Sequence, residues 1–523
     1  MEFGVCNFFS LNFILLYGPP GVGKSTVGKE LAARLEREFF DSDPMIENLA
    51  GRSIPHIFSQ LGEAEFRRLE AKVCAGLSAR RGAVIALGGG ALLNANVRAA
   101  FERNGLIVCL RADADELLRR TSGNSRPLLA GDNPAERLNA LLATRRAFYD
   151  SFSIQVDTKG KSIEQVVDEI ESMVVPRSLP VNAPGLRHEI LLGYGLLDSL
   201  PDLLDERGLT GPAIVVTDEN IATALPITNY QLPITILPAG EQHKTLDTVR
   251  ALYDALLQHG LDRSGIVIAI GGGVIGDLAG FAAATFMRGV RWVNAPTTLL
   301  AMVDASLGGK TGVDLPQGKN LAGAFHPPSL VVADPFALTT LPQAERAAGM
   351  AEVIKHGVIG DAGLFEMIES GAAFGGADQI ARAMAVKIRV VEADPFEKGE
   401  RATLNLGHTI GHGVEAASEY SLRHGEAVAV GMVAESRLAE RLGLAERGLA
   451  QRIARACAMA GLPVKCSGLN PDRIREAMSS DKKKSGGRLK FALPKKIGEV
   501  VWGVEADEAE VMSAVRAACD AEE

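Results

Sequence analysis

The stretch FILLYGPPGVGKST, residues 13–26, joins a short apolar run to a glycine-rich loop and then to the start of a helical pattern. Glycines let such a loop curl until its backbone N–H groups face phosphate oxygens, and the following helix adds the positive end of its dipole. The spacing G-x-x-x-x-G-K-[ST] predicts a nucleoside triphosphate site, in which the lysine reaches the outer phosphates and the hydroxyl residue binds Mg²⁺. The predicted nucleotide contacts are Gly18, Gly21, Gly23, Lys24, Ser25 and Thr26.

Strand-like runs alternate with helical patterns around this stretch, as in VIALGGG (84–90) and LIVCL (106–110). Alternation of this kind predicts an α/β domain, here residues 1–175, built on a parallel sheet with helices on both faces. Three prolines and a glycine lie within residues 174–185, which predicts a linker at 176–188.

A second β/α alternation follows the linker, with runs such as AIVVTDEN and GIVIAIGGGV. It predicts a Rossmann-like α/β domain at residues 189–340. Beyond that point strand signals become rare and Ala-rich helical patterns dominate, so residues 341–523 are predicted to form a mostly α-helical domain.

The composition is that of a globular protein without a nucleic-acid or membrane partner. The 523 residues carry a formal net charge of −9, whereas nucleic-acid binders are basic overall. No apolar run reaches the about 20 residues of a membrane span, and residues 1–10, without Lys or Arg, are interpreted as an extension and not as a signal peptide. The six cysteines form no C-x-x-C pair, so neither a disulfide framework nor a thiolate zinc site is indicated. We expect a cytoplasmic protein.

A second glycine loop occurs in GIVIAIGGGVIGDLAGF (265–281), where the spacing G-x-G-x-x-G follows a strand and precedes a helix. This pattern is weak evidence for a dinucleotide site when it stands alone. Asp218, at the end of a strand, and Glu241 and Lys244, in PAGEQHKT, are placed like ribose or adenine contacts. A lone Asp at the end of a strand is more often a helix cap, and Asp218 taken by itself has that alternative explanation.

Two of the nine histidines, His408 and His412, lie four residues apart in LNLGHTIGHG (404–413). Residues i and i+4 share one face of a helix, so this spacing by itself predicts two ligands of one metal. The H-E-x-x-H motif of zinc proteases is not present, because Thr409 stands where its Glu would be.

Five motifs follow the phosphate loop in the order FFDSDPMIE, SIPHIFSQLGEAEFRRLE, VIALGGGALL, SRPLL and RRAFY. Each alone has a structural explanation, such as a helix cap, a tight turn or a solvated arginine. Taken together, they resemble shikimate kinase across roughly residues 11–175. The resemblance implies ATP-dependent, Mg²⁺-dependent phosphorylation of shikimate.

The same resemblance implies roles for single residues. Asp41 would lie near Mg²⁺, and Asp43 would accept hydrogen bonds from ring hydroxyls of the substrate. Its carboxylate would be bound by backbone N–H groups and by arginines, whose planar forks pair with both oxygens. These positions are Gly88, Gly89, Gly90, Arg67, Arg126 and Arg145.

Two positions depart from the family pattern. Pro19 and Pro20 stand where the family often has an aromatic residue and Met, and RRAFY lacks the usual Pro before its Tyr, so Arg146 stays an alternative to Arg145. Either Arg119 or Arg120 is expected near the nucleotide.

A polar series downstream resembles 3-dehydroquinate synthase over about residues 185–510: FMRG, APTTLLAMVDASLGGKTGVDLPQGKN, AGMAEVIKHG, VEADPFEKGERATLNLGHTIGH, RHGEAVAVGM and DKKKSGG. The resemblance implies a zinc, or alternatively cobalt, ligand set of Glu352, His408 and His424. Three N/O ligands leave a coordination position for substrate. His412 would then serve proton transfer or orient the substrate phosphate, and His356 would be a core histidine.

The remaining roles also come from this resemblance, which implies tightly held NAD⁺ and a phosphorylated, carboxylated sugar acid as substrate. The expected nucleotide contacts include Gly272, Gly273, Asp277, Thr297, Thr298, Lys310 and Lys319. The substrate would be held by Arg288, Lys310, Lys319, Lys355, Lys387, Arg401 and Lys482 or Lys483, and its hydroxyls by Asp304, Asn320, Glu397 and Asn405. Across both domains we expect direct catalytic roles for Lys24, Arg126, Arg288, Asp304, Lys310, Glu397, Asn405 and His412.

The two resemblances together imply a bifunctional shikimate-pathway enzyme, with a possible homodimer formed through the synthase half. Its second substrate would be 3-deoxy-D-arabinoheptulosonate 7-phosphate. One alternative is a kinase fused to a metal-dependent polyol dehydrogenase, which would not need phosphate-binding lysines. A second alternative is that one half has lost catalysis and serves as a regulatory or oligomerisation module.

Overall fold

The computed structural model describes residues 13–121, 133–152, 154–371, 375–482 and 489–519. The chain forms two compact units, of which the first comprises Met1–Pro176 with Gly193–Asp198 and the second Arg177–Leu192 with Ser199–Glu523. No helix in the described part of the chain has the length and apolar character needed to cross a membrane.

The first unit contains a five-stranded parallel sheet with the strand order β2-β3-β1-β4-β5. Its strands are β1 Phe13–Tyr17, β2 Glu38–Asp41, β3 Ala83–Ala86, β4 Leu106–Arg111 and β5 Ile154–Asp157. Its helices are α1 Lys24–Arg34, α2 Ser42–Ala50, α3 Ile54–Leu77, α4 Ala95–Asn104, α5 Ala114–Thr121, α6 Pro134–Asp150 and α7 Ile163–Val174.

The central strand β1 is buried on both faces, which explains why its sequence is a continuous apolar run and does not alternate. Phe13, Leu15 and Tyr17 pack into the cluster that includes residues of α3 and α4. Successive side chains of a strand point to opposite faces, and Leu16 accordingly lies near Gly28 of α1. The predicted parallel sheet with helices on both faces is confirmed.

The second unit contains a seven-stranded sheet with the order β6-β7-β14-β11-β10-β8-β9 and two antiparallel hairpins, β12–β13 and β15–β16. Pairing in the large sheet is parallel except between β6 and β7. The strands are β6 Arg177–Val181, β7 His188–Leu192, β8 Ala213–Asp218, β9 Ile234–Leu237, β10 Ile266–Gly271, β11 Arg291–Pro296, β12 Lys310–Leu315, β13 Gly318–Phe325, β14 Leu330–Ala333, β15 Phe491–Lys496 and β16 Glu499–Val504.

Residues 176–188, predicted to be a linker, contain the edge strand β6. Proline is tolerated in an edge strand, where its missing N–H faces away from the ladder. Pro180 pairs with Glu189 in the antiparallel register with β7. The difference arises because a proline-rich segment and an edge strand have similar composition.

The helices of the second unit are concentrated after residue 340, as the pattern predicts. Those of the sheet region are α8 Leu200–Glu206, α9 Glu219–Ala224, α10 Leu246–Gln258 and α11 Gly273–Thr285. The later helices are α12 Gln343–Gly360, α13 Ala362–Glu369, α14 Ala377–Ala393, α15 His408–Ala417, α16 His424–Arg441, α17 Leu449–Met459, α18 Pro471–Lys482 and α19 Glu508–Ala518.

Glycines bring α15 and α16 unusually close together. A Cβ atom added to Gly431 of α16 would lie 2.0 Å from the carbonyl oxygen of Gly407, just before α15, and one added to Gly411 would lie 3.0 Å from the carbonyl oxygen of Ala427. Real Cβ atoms do not approach so closely, so the helix pair depends on hydrogen at these positions. This contact positions the first residues of both helices, His408 and His424, beside each other.

Two candidate active sites

The first candidate site lies at the carboxyl ends of the adjacent parallel strands β2, β3 and β1. Gly23 precedes α1 with φ 103°, a left-handed conformation that favours glycine. The ammonium of Lys24 donates to the carbonyl oxygens of Gly18 at 2.9 Å and Pro19 at 3.0 Å, which holds its charge against the loop. Gly21 also has positive φ. The loop therefore has the backbone shape that the phosphate motif requires.

A hydroxyl and a carboxylate meet beside this loop. The Ser25 hydroxyl donates to Oδ2 of Asp41 at 2.6 Å. Oδ1 of Asp41 caps α2 by accepting from the backbone N–H of Asp43 at 3.0 Å. Thr26 is exposed in the first turn of α1. Oxygen ligands of this kind suit Mg²⁺.

The glycine loop after β3 is held by three donors on one carbonyl oxygen. Gly89 O accepts from the hydroxyl groups of Tyr17 and Tyr149, each at 2.9 Å, and from the guanidinium of Arg145 at 3.0 Å. Arg146 is by contrast 79% exposed at its side chain, so the geometry favours Arg145 as the arginine of this site. Sequence reasoning missed both tyrosines, since no local spacing links them to Gly89.

Arg67 lies against the same loop. A Cβ atom added to Gly90 would be 2.8 Å from its guanidinium, so glycine leaves the space that Arg67 occupies. Arg67 pairs with the buried Glu70 at 2.6 Å. Burial raises the pKa of the Glu70 carboxyl, although Arg67 opposes that rise. The i, i+3 spacing of Arg67 and Glu70 could have revealed this pair in the sequence.

Other predicted residues of the first site have different surroundings. Gly88 donates its N–H to the Ser42 hydroxyl at 3.0 Å. Arg120 donates to Thr158 O at 2.8 Å and Val22 O at 3.3 Å, whereas Arg119 is 72% exposed. Arg126 lies outside the described residues.

The second candidate site begins at the glycine loop after β10, which forms part of a cleft. Lining residues include Gly272, Gly273, Gly276, Asp277 and Lys310. Because the loop starts α11 at the carboxyl end of β10, it has the position of a dinucleotide-binding turn.

A buried lysine connects the cleft to β13. Lys244 Nζ lies 2.6 Å from Oδ2 of Asp277, 2.6 Å from Oδ1 of Asn320 and 4.0 Å from Glu241. Burial raises the pKa of Asp277, and the Lys244 ammonium offsets part of that rise. The structure thus brings together four predicted residues, although Asn320 was expected at the substrate and not at Lys244.

Asp218 and the two threonines occupy separate positions. Asp218 caps α9, with Oδ1 accepting from the N–H groups of Asn220 at 2.9 Å and Ile221 at 3.0 Å, so the capping interpretation accounts for this residue. Thr297 is buried, and its hydroxyl has no hydrogen-bond partner among the described residues. Thr298 Oγ1 accepts from Ala301 N at 3.1 Å.

Three side chains of types that can ligate a metal meet where α12, α15 and α16 come together. Ligand atoms of Glu352, His408 and His424 all lie within 4.8 Å of one another. Glu352 is fully buried, and within the described part of the chain neither carboxylate oxygen accepts a hydrogen bond, although Lys355 forms an ion pair with it. A buried carboxylate with so few donors is costly unless a cation compensates it. The group fits a divalent metal.

The protonation state of His408 suits metal ligation. Burial and the nearby Lys355 ammonium hold the pKa of His408 well below its ordinary value, so the imidazole is neutral. Nδ1 of His408 lies 3.1 Å from Leu406 O, which leaves Nε2 on the side of Glu352, 3.7 Å from Oε1. A hydrogen bond at one ring nitrogen fixes which nitrogen is left for a metal.

His412, which spacing alone paired with His408, belongs to a different group. Its ring centroid is 5.3 Å from that of His408, and the two histidines share none of the possible metal-binding groups found among the described residues. His412 is exposed and groups with Glu415 and His424. It lies beside the metal-binding group without belonging to it.

A second buried cluster lies next to Glu352. Asp304, on a π-helical turn, contacts the ammonium of Lys387 and lies 3.9 Å from Nε2 of His356. Burial opposes ionisation of Asp304, but Lys387 and then Lys355 hold its pKa well below the usual value. Two ammonium groups here disfavour another cation, so Asp304, Glu352 and His356 do not fit a second metal.

Further cationic side chains of the second candidate site are paired with carboxylates. Lys310 contacts Glu397, and Arg401 Nε lies 3.3 Å from the same carboxylate. Lys319 pairs with Glu415 at 3.0 Å. Sequence reasoning missed Glu415, although it lies on the same stretch of helix as His408.

Two predicted residues, Arg288 and Asn405, are not brought into these contacts. Arg288 follows the C-terminal end of α11, whereas the glycine loop lies at its N-terminal end. At a rise of 1.5 Å per residue, the two ends of this helix are about 20 Å apart. Asn405 is exposed at the end of the segment before α15. Lys482 ends α18, with its side chain outside the described set, and Lys483 lies outside the described residues.

Three family models match the chain. The shikimate kinase model matches residues 20–175, the 3-dehydroquinate synthase N-terminal model matches residues 234–348, and the C-terminal model of the same family matches residues 349–484. The 3-dehydroquinate synthase of Microcystis aeruginosa (strain NIES-843 / IAM M-2473) is 45% identical over 340 residues, which cover 62% of this chain and 93% of that protein.

Two solved structures are also similar. One is 2-epi-5-epi-valiolone synthase from Streptomyces hygroscopicus subsp. jinggangensis 5008 with NAD⁺ and Zn²⁺ bound, with a TM-score of 0.58 and 29% identity over 64% of this chain and 98% of that one. The other is 2-deoxy-scyllo-inosose synthase complexed with carbaglucose-6-phosphate, NAD⁺ and Co²⁺, with a TM-score of 0.59 and 27% identity over 65% of this chain and 100% of that one.

Proposed function

The chain belongs to the 3-dehydroquinate synthase family and carries a shikimate kinase domain before the synthase part, and from this premise we propose a bifunctional shikimate-pathway enzyme. Its first unit phosphorylates the 3-hydroxyl of shikimate with ATP. Its second unit converts 3-deoxy-D-arabinoheptulosonate 7-phosphate to 3-dehydroquinate with release of phosphate. The observation that carries the proposal is the fully buried Glu352 carboxylate beside His408 and His424.

In the first unit, positioning and charge neutralisation do most of the work of phosphoryl transfer. The loop N–H groups and Lys24 hold the outer phosphates, and Ser25 and Asp41 hold Mg²⁺. Arg67 and Arg145 hold the shikimate carboxylate, and we also assign that role to Arg126. Asp43 orients the 3-hydroxyl and accepts its proton as the hydroxyl oxygen attacks the terminal phosphorus and the bond to ADP breaks.

In the second unit, a net-acidic protein gathers cations around the metal-binding group, which indicates an anionic substrate. Lys310, Lys319 and Arg401 hold its phosphate and carboxylate, with Arg288 and Lys482 or Lys483 proposed to assist. Lys355 and Lys387 are both buried: Lys355 forms an ion pair with Glu352, and Lys387 holds the pKa of the Asp304 carboxyl well below its usual value. An uncharged polyol would not need these cations, which disfavours the dehydrogenase alternative.

Glu352, His408 and His424 would hold zinc or cobalt, and Asp277, Lys244 and the glycine loop would hold NAD⁺. When bound, the metal supplies a Lewis acid for a ketone oxygen, and NAD⁺ supplies a hydride acceptor that later returns the hydride. His412 moves a proton at the substrate or orients its phosphate. Glu397 and Asn405 are proposed to bind substrate hydroxyls, as is Asn320.

Two separate substitutions test the proposal. K24M is expected to lower ATP-dependent phosphorylation of shikimate by about 100-fold or more, because it removes a charge that stabilises the transferred phosphate. H408A is expected to lower phosphate release from 3-deoxy-D-arabinoheptulosonate 7-phosphate by a similar factor, because a metal ligand is lost. Each activity is measured in both variants.

K29M and H259A serve as matched controls, since Lys29 and His259 are exposed residues of α1 and of the end of α10. Both should retain both activities. Loss of both activities in either K24M or H408A would contradict independent sites. Net accumulation of NADH during turnover by the wild-type protein would instead support a dehydrogenase.

The proposal also covers the domain bounds, the oligomeric state and the cellular location of the protein. The kinase is assigned residues 1–175, the dinucleotide-binding part 189–340 and the helical part 341–523, which expression of the separate fragments tests. A homodimer through the second unit is tested by the particle mass in solution. A cytoplasmic location is tested by fractionation of the source cells.

A further inference from the structure

Glu415, a residue of α15 with no role assigned so far, connects a metal-binding histidine to a lysine of β13. One carboxylate oxygen, Oε2, lies 3.2 Å from Nδ1 of His424, the first residue of α16. The other, Oε1, accepts a hydrogen bond from Lys319 Nζ at 3.0 Å. Glu415 is 8% exposed, so this bridge is largely shielded from water.

The contact with His424 determines which ring nitrogen is left for a metal. Because Nδ1–H donates to the carboxylate, the neutral imidazole carries its lone pair on Nε2. A carboxylate behind a ligating histidine fixes its tautomer and orientation and raises its basicity. The backbone carbonyl of Leu406 is the partner of Nδ1 in His408, and Glu415 is the partner of Nδ1 in His424. Each histidine therefore has a hydrogen-bond acceptor at Nδ1.

The contact with Lys319 holds a cation that the sequence places near the substrate. The Lys319 ammonium also lies 4.7 Å from the centre of the Tyr420 ring, so carboxylate and aromatic face together restrict it. The lysine side chain is 44% exposed, which leaves its other donor hydrogens accessible to an anion. One carboxylate therefore restrains a metal ligand and an anion-binding group at once.

We propose that Glu415 is a positioning residue, which orients His424 for the metal and holds Lys319 for the phosphorylated substrate. This inference rests on the proposed synthase function. It adds a structural link between the helical part, which contains α15 and α16, and the β12–β13 hairpin of the same unit. Glu415 contacts His424 and Lys319 and is not one of the three proposed metal ligands, Glu352, His408 and His424.

E415Q is the informative variant because glutamine has nearly the same size but one acceptor oxygen. Its oxygen can serve His424 or Lys319, and its NH₂ group then faces the other donor. We expect the dissociation constant for Zn²⁺, measured by competition with a chromophoric chelator, to rise about 10- to 100-fold. We also expect KM for the phosphorylated substrate to rise.

E426Q is the matched control. Glu426, an acidic residue in the first turn of α16, accepts from the Arg423 backbone N–H at 2.8 Å, and glutamine can keep that capping role. E426Q should therefore bind Zn²⁺ as the wild type does. K319M should raise KM without changing Zn²⁺ affinity, and the double variant E415Q/K319M should raise KM by less than the product of the single effects.

Equal Zn²⁺ affinities of E415Q and E426Q would overturn the proposal, as would a lower melting temperature of E415Q with unchanged Zn²⁺ affinity. If E415Q cannot be obtained folded, E415D is judged by the same comparison, since its shorter side chain retains the charge but not the reach. Zn²⁺ affinity is measured without substrate. A wild type that binds Zn²⁺ but releases no phosphate would thus refute the proposed function separately.

Discussion

Gly89, in the glycine loop after β3, lies against the phosphate loop of the first site. A Cβ atom added to it would lie 2.8 Å from the carbonyl oxygen of Gly18, a backbone atom of the phosphate loop. Its own carbonyl oxygen is fixed by Tyr17, Tyr149 and Arg145, so the loop cannot move away without losing hydrogen bonds. The close approach of the two loops therefore requires glycine at position 89, because its side chain is a single hydrogen atom.

We predict that G89A lowers kcat/KM for shikimate phosphorylation by at least about tenfold, because a shift of about 1 Å in a substrate-positioning loop has effects of that order or larger. Steady-state kinetics of the kinase reaction measures the change. G76A is the control: Gly76 is a helical residue of α3 with nothing within 4 Å of an added Cβ atom. That substitution should leave the kinase unchanged, and equal kinetics in the two variants would refute the role of Gly89.

Between α15 and α16, a buried carboxylate holds the start of the helix that carries His408. Glu435 of α16 accepts hydrogen bonds from the backbone N–H groups of Gly407 at 2.6 Å and Ile410 at 2.9 Å. The first N–H groups of a helix lack partners within it, so Glu435 supplies acceptors from a neighbouring helix. Burial raises the pKa of Glu435 to about 8, with the backbone donors opposing the rise.

This pKa predicts how stability changes with pH. The pKa of Glu435 is about 8 in the folded protein and about 4.3 in the unfolded chain. The contribution of this side chain to the free energy of unfolding is therefore complete below about pH 4.3 and is lost as pH rises towards 8. The contribution falls by about 1.4 kcal/mol per pH unit. In E435Q, which cannot ionise, the free energy of unfolding should fall less steeply between pH 5 and 8.

Chemical denaturation of the second unit at several pH values measures both slopes. E435Q is also expected to be less stable at pH 5 by about 1–3 kcal/mol, because its NH₂ group cannot accept the second backbone N–H. Parallel slopes for the two proteins would show that Glu435 does not titrate in this range.

At the scale of the whole molecule, the two proposed activities depend on different metal ions. The first site offers the hydroxyl and carboxylate oxygens of Ser25 and Asp41, which suit Mg²⁺. The second offers two imidazoles and a carboxylate, which suit zinc or cobalt. Selective removal of one ion should therefore separate the activities within a single chain.

We predict that dipicolinate, in the presence of excess Mg²⁺, abolishes phosphate release from 3-deoxy-D-arabinoheptulosonate 7-phosphate and leaves shikimate phosphorylation unchanged. Added Zn²⁺ or Co²⁺ should restore phosphate release, because chelation removes the metal ion reversibly and leaves its protein ligands unchanged. Both reactions are followed in the same sample before and after chelation. A synthase reaction that persists after complete zinc removal would contradict the assigned metal-binding group.

Local features of this protein could be predicted from its sequence because they depend on neighbours in the chain. The phosphate loop, the burial of β1 and the helical character after residue 340 follow from spacing and hydrophobic pattern. The shared face of His408 and His412 is local in the same way. Spacing cannot show which more distant side chain a histidine meets: His408 groups with Glu352 and His424, and not with His412.

The tertiary structure decided the contacts between distant segments. Glycine contacts between α15 and α16 bring His408 to His424, and α12 adds Glu352 from more than fifty residues earlier. Gly89 with Tyr17 and Tyr149, and Glu415 with Lys319, are likewise pairs that no periodicity links. The physical reason is that backbone conformation responds to adjacent residues, whereas a site requires side chains whose distance is set by how helices and strands pack.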